Sequence, residues 1–315
     1  MPTTGLRTPA DIIGAAAGLL GFAPTNSIVA YMLHRDTSHG LIVRCAIRFD
    51  VTISIEQAAN FPATCNLRPD TNHAAILLAV CDEQHNPRAL AVLDTLREAL
   101  AGAGIPVLRG IMTHDVTAEG QWYDPDTGEV GSTYPYTDSL ITAQRVLRGD
   151  RVSRARSDIE NEFATLPPAP PVALGDHGEL VITTAEEIAA ALEGFPISCT
   201  LPTRAGHIIT IDVTVRDAMI SAALDHAQAG AELWTHIGRR LRGQPRAEAL
   251  TIAAACYCLL DDSIRAGIAA DAALNEAQAT QTPPPRLALM LLTALRSGIP
   301  PHQIRRAIID ATTRD

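Results

Sequence analysis

The run "CYCLLDDSIRAGIAADAAL", Cys256 to Leu274, places two thiols and two carboxylates in a short stretch. Converging, they would offer a metal site or an acidic catalytic pair. The spacing argues against convergence. Cys256 and Cys258 stand two residues apart, which on a helix turns them about 200° from each other. No second cysteine pair and no HxxxH supplies the remaining ligands of a zinc site. Leu250, Ala254, Tyr257 and Cys258 make one apolar stripe before the aspartates, and Ile264, Ile268, Ala269 and Ala272 make another after them. Asp261 and Asp262 are therefore expected at a bend between two helices, where a carboxylate accepts the free amides of the next helix. On this reading no catalytic residue, metal or cofactor is assigned.

Two other segments carry candidate chemistry. "QWYDPDTG" gathers Trp122, Tyr123, Asp124 and Asp126, with Tyr134 and Tyr136 nearby. These would line a ligand pocket or pack as an ordinary hairpin over a sheet edge. "RVLRGDRVSRARSD" brings together Arg145, Arg148, Arg151, Arg154 and Arg156, a set suited to a phosphate or an acidic partner. The competing reading pairs them with Asp158, Glu160 and Glu162. The candidate ligand- or anion-binding residues are thus Trp122, Tyr123, Arg148, Arg151, Arg154 and Arg156. His114 and Asp115 are neighbours that diverge at a strand end, and neither GxSxG, a P-loop nor GxGxxG after a strand is present.

Composition narrows the classes. A chain of 315 residues with 47% hydrophobic content can bury one large core or two smaller ones. The net charge of -10 opposes phosphate backbones, so no nucleic-acid partner is expected. The sequence contains arginine but no lysine. The six cysteines are scattered, several in apolar runs, which fits a reducing cytoplasm. "IIGAAAGLLGF" could pass for a signal-peptide core, but Thr8 as a cap, Pro9 in the first turn, Asp11 and a closing Gly21 read as a helix. No run is long and apolar enough to span a bilayer, so no membrane association is expected.

The elements that would hold these groups change character along the chain. "SIVAYML" and "GLIVRCAIRFDV" read as a strand pair. Ser54 with Gln57 forms a capping box, and "HAAILLAV" is a buried strand. A helix over Arg88 to Ala101 links that strand to "IPVLRGIM" as a crossover unit with parallel pairing. A hairpin around Asp124 to Gly128 and a helix from about Asp138 to Leu147 follow. "LPPAPPVALGD", Leu166 to Asp176, reads as a linker. Beyond it Thr184 would cap a helix closed by Gly194, and "HIITIDVTV", His207 to Val215, reads as a half-buried strand. The remainder reads as successive helices. Leu250, Ala254, Tyr257, Ala266 and Ala273 resemble one tetratricopeptide-like helical hairpin.

The expected fold is α/β: a mixed sheet flanked by helices in the N-terminal part and a mainly helical C-terminal part containing that hairpin. The domains would span 1–165 and 177–315, with the proline-rich linker at 166–176 and one or two strands near the start of the second.

"LRTPADIIGAAAGLLGFAPTNSIVAYML", with Leu6, Pro9, Asp11, Leu19, Leu20, Gly21, Phe22, Pro24, Ser27 and Val29, resembles the opening of an actinobacterial family known only as domain of unknown function 4192. Gly149, Arg151, Ser153 and Arg154 or Arg156 resemble its mid-chain pattern. "VRDAM" and "LALMLLTALRSGIPP" are similar to its C-terminal part, so the resemblance covers nearly the whole chain. Family members often carry a cysteine-bearing tract where this sequence has "QWYDPDTGEVGSTYP", which holds none. The resemblance implies no catalytic residues. The expected function is that of a cytoplasmic, non-enzymatic interaction or regulatory protein docking a protein partner through the helical C-terminal part. The alternative is a small-molecule sensor or enzyme with a pocket at the strand ends of the N-terminal domain.

Overall fold

In the computed structural model, which describes residues 6–312, the chain divides into two compact units, Met1–Asp158 and Ile159–Asp315. The first begins with α1 (Pro9–Leu20), whose Thr8 hydroxyl accepts from the Asp11 amide at 3.2 Å while Asp11 accepts from the Thr8 amide at 3.0 Å. Gly21 closes the helix in the left-handed region, φ 73. There follow β1 (Ser27–Asp36), β2 (Gly40–Asp50), α2 (Ile55–Ala59) on its Ser54–Gln57 capping box, and α3 (Phe61–Thr64). Next come β3 (Ala74–Val80), α4 (Asn86–Gly102), β4 (Val107–Thr113), β5 (Gly120–Tyr123), β6 (Val130–Thr133) and α5 (Leu140–Leu147).

The six strands form one mixed sheet in the order β2-β1-β3-β4-β5-β6. β3 and β4 pair in parallel across the α4 crossover, and every other neighbouring pair is antiparallel. Both faces are covered, which is why β1 and β3 are apolar in continuous runs. Ile28, Ala30 and Met32 of β1 and Ala75, Leu77 and Ala79 of β3 meet Val92, Leu93, Leu96 and Leu100 of α4. Tyr31 points to the opposite face, fully buried, and donates to the Ile12 carbonyl of α1 at 2.9 Å. A side chain at Gly18 would stand 2.9 Å from Ile141 and from the Thr142 amide, so this small residue lets α1 and α5 approach closely.

The division between the units falls inside α6 (Arg156–Glu162), so the proline-rich segment belongs to the second unit. It is no free tether. Leu166 and Ala169 donate their amides to the carbonyls of Arg239 and Arg240, and Thr203 donates to Pro170 O at 2.7 Å. α7 (His177–Leu192) starts on Asp176, which accepts from the Glu179 amide. Thr184, expected as its cap, lies buried within the helix, and Glu187 pairs with Arg204.

α8 (Leu201–Ile211) and α9 (Val213–Ala222) replace the strand expected at His207–Val215. The alternation of Ile, Thr and Val was outweighed by a longer helical stripe, Leu201, Ala205, Ile208 and Ile209, all buried. Asp212 separates the two helices by accepting from the Thr214 amide at 2.8 Å. The unit continues with α10 (Ala227–Arg240), α11 (Gly243–Leu259), α12 (Ser263–Ala279), α13 (Arg286–Arg296) and α14 (Pro301–Thr312). No strand occurs among the described residues of this unit. α11 is its hub: each position from Arg246 to Leu259 is buried, and α8, α9, α10, α12, α13 and α14 all pack on it.

Candidate functional site

The cysteine and aspartate run folds as the bend. α11 ends at Leu259, Asp261 takes the left-handed conformation, φ 58, and Asp262 caps α12 by accepting the Arg265 amide at 3.0 Å. Arg265 also bonds the Asp262 carboxylate at 3.0 Å and grips Glu162 with two bonds of 2.7 and 2.8 Å. Cys256 and Cys258 are buried in α11. Burial pushes the Cys256 thiol up to about 12, and burial together with Asp262 and Asp261 does the same to Cys258. Such thiols are poor nucleophiles at neutral pH. Among the described residues no group of three His, Cys, Asp or Glu side chains is placed to hold a metal.

The candidate residues of the first unit separate. Adjacent residues of a strand face opposite ways, so Trp122 and Tyr123 of β5 cannot share one rim. Tyr123 joins the core under α4, opposite Met112. Trp122 is buried on the other face, over Gly131 of β6, where a Cβ would meet its ring at 2.8 Å. Arg109 of β4 lies 5.6 Å from the Trp122 ring centroid, bonds the buried Asp124 at 3.0 Å and pairs with Glu129. Asp124 in turn accepts the amides of Asp126 and Thr127, so the hairpin's carboxylates hold its own turn. Asp115 accepts from Thr117, a local turn contact.

The arginine segment stays together. Arg145 donates to the Gly18 carbonyl at 3.0 Å and lies 3.8 Å from Asp150. Arg148 closes α5, and Arg148, Arg151 and Arg154 are exposed, whereas Arg156 is half-buried at the start of α6. Ser153 bridges to Phe22 and exchanges backbone bonds with Gly21 and Ala23, which fixes the middle of this segment against the end of α1.

In the helical unit an open cleft of about 950 Å³ lies between the α9–α10 turn, the end of α11 and α14. Leu224, Leu259, Leu260 and Ile309 supply apolar surface, and His226 and Arg305 supply donors. His226 precedes α10 without capping it through its side chain, and Arg305 lies 3.5 Å from Asp261. Neither His226 nor Arg305 is legible in the sequence: they are remote in the chain and belong to no motif. The one available signal was the bend at Asp261, which lies beside Arg305.

An α/β unit with a mixed sheet, joined to an all-helical unit, is thus the class of protein. The family model Domain of unknown function (DUF4192) matches residues 9–200 and 202–302, and the chain belongs to that family. No curated protein and no solved structure matched. No helix among the described residues is long and apolar enough to cross a membrane.

Proposed function

We propose that this chain is a cytoplasmic, non-enzymatic interaction protein whose helical unit docks a protein partner. The observation that carries the reading is the open cleft. Its apolar lining of Leu224, Leu259, Leu260 and Ile309 suits the apolar side chains of a protein segment, and Arg305 and His226 in the same lining suit a carboxylate of that segment. The six free thiols support a reducing compartment.

The test exploits the lysine-free sequence, which leaves amine-directed crosslinking little to act on. A photo-crosslinking phenylalanine analogue replaces Leu224 in the full chain, with the exposed Met290 as control position. The expected result is one discrete protein adduct from position 224 in cells, absent from position 290 and lost on Arg305→Glu. Absence of any position-specific adduct overturns the proposal. A saturable rise in Tm with an anionic metabolite, in place of an adduct, transfers the reading to a small-molecule sensor.

A further inference from the structure

α5 presents its inner face, Ile141, Thr142 and Arg145, towards α1, with Thr142 buried and Arg145 bonded to Gly18. Its outward face would ordinarily be polar. Here it carries Leu140, Val146 and Leu147, which are 67%, 56% and 85% exposed. At 100° per residue these three fall within one arc of the helix, a stripe about 10 Å long. Exposed Arg148 ends the helix, and the chain then turns through Gly149 into the segment that carries the exposed Arg151 and Arg154. Among the described residues no carboxylate pairs with these three guanidinium groups, although Arg97, Arg109, Arg204, Arg216, Arg246 and Arg265 all hold carboxylates. Acidic residues outnumber basic ones 35 to 25, so the three arginines stand unpaired amid an excess of carboxylates.

We infer that the outward face of α5 and the Arg148–Arg154 segment form one docking surface for an acidic amphipathic segment of another protein. Leucine-like side chains of that segment cover Leu140, Val146 and Leu147, and its carboxylates meet the guanidinium groups. Charge complementarity selects this occupant. A long polyanion gains from the arginines but meets the net charge of -10, and neither α5 nor residues 148–156 offer an aromatic side chain on which a base could stack. The site is in the first unit and is independent of the cleft in the second.

The probe is a synthetic fluorescent peptide with leucines at helical spacing and glutamates between them, titrated into the full chain by anisotropy. Binding is expected, weakened at least tenfold between 50 and about 300 mM salt as exposed charge pairs are screened. It should also fall at least tenfold in Arg148→Gln/Arg151→Gln/Arg154→Gln and, separately, in Leu140→Ser/Leu147→Ser. All five positions are exposed, and unchanged circular dichroism of the variants confirms folding. The same peptide with lysine for glutamate should not bind. The inference is overturned if the glutamate peptide fails to bind, if either variant binds it as wild type does, or if the lysine peptide binds equally. It is likewise overturned if phosphatidylserine vesicles or a single-stranded oligonucleotide bind through the same residues in preference to the peptide.

Discussion

Replacing Arg246 with leucine tests what ties the helical unit together. The guanidinium is buried and makes three contacts: Gly238 O of α10 at 2.7 Å, Phe163 O at 2.8 Å and Glu276 of α12 at 3.1 Å. Glu276 uses its other oxygen to accept the first amide of α11, Gly243, at 2.6 Å. Removing one partner of a buried pair costs about 3–5 kcal/mol, because the remaining charge keeps its desolvation penalty. Gly238 O retains the Leu241 amide at 3.3 Å, so the backbone acceptor stripped of its donor is Phe163 O, worth about 1–3 kcal/mol. Adding Glu276→Gln removes the stranded charge and keeps an acceptor for Gly243, so Arg246→Leu/Glu276→Gln should lose only about 1–3 kcal/mol. The two tryptophans make the measurement clean: Trp234 is fully buried in α10 and Trp122 lies in the first unit. In a Trp122→Phe background, urea unfolding followed by Trp234 fluorescence reports the helical unit alone. A single variant losing under about 1 kcal/mol, or a double variant no more stable than the single, would refute the buried-pair reasoning.

Three further outcomes are expected. Asp262→Ala should cost about 0.5–2 kcal/mol through the lost α12 cap, whereas Asp261→Asn/Asp262→Asn keeps the accepting oxygens and most of that contribution. A chelator should change neither melting curve. Asp11 feels burial, which raises its pKa, but donation from the Tyr134 hydroxyl at 2.9 Å and from Thr8 holds it below its ordinary value. Tyr134→Phe should therefore raise the Asp11 pKa in an NMR titration. A depressed carboxyl stabilises above its unfolded pKa and loses that contribution as pH falls through the folded one, so the variant's deficit should shrink below about pH 4. Cys199 is exposed while Cys256 and Cys258 are buried with raised pKa values. A maleimide at pH 8 should label Cys199 within minutes and the α11 pair only at the rate of unfolding, as read by mass spectrometry of the peptides.

Local signals carried far in the first unit. Thr8, Pro9, Asp11 and Gly21 each took the position that their capping chemistry demands, and the apolar β3 run lies in the sheet interior. The same rules misplaced two elements of the second unit. At Thr184 a Thr-x-x-Glu pattern recurs inside a helix that Asp176 had already started. At His207–Val215 a short window of β-branched residues hid a stripe that begins at Leu201. Trp122 and Tyr123, neighbours in the sequence, fall on opposite faces of the sheet because a strand has a period of two. Which arginines are paired was illegible, since the carboxylates that neutralise Arg109, Arg246 and Arg265 come from distant positions. What remained visible was the arginine run itself, and the structure keeps Arg148, Arg151 and Arg154 at the surface.

The central position of α11 has a consequence for the chain during its synthesis. In a solenoid each repeat closes on the one before, so a growing chain is nearly finished at every step. Here a nascent chain that has reached Leu259 holds a helix that the finished fold buries at every position from Arg246 to Leu259, and α12, α13 and α14, which complete its cover, have yet to emerge. The helical unit must close late and as a whole. A chain stopped before α14 leaves part of α11 uncovered, a surface on which chaperones and proteases act.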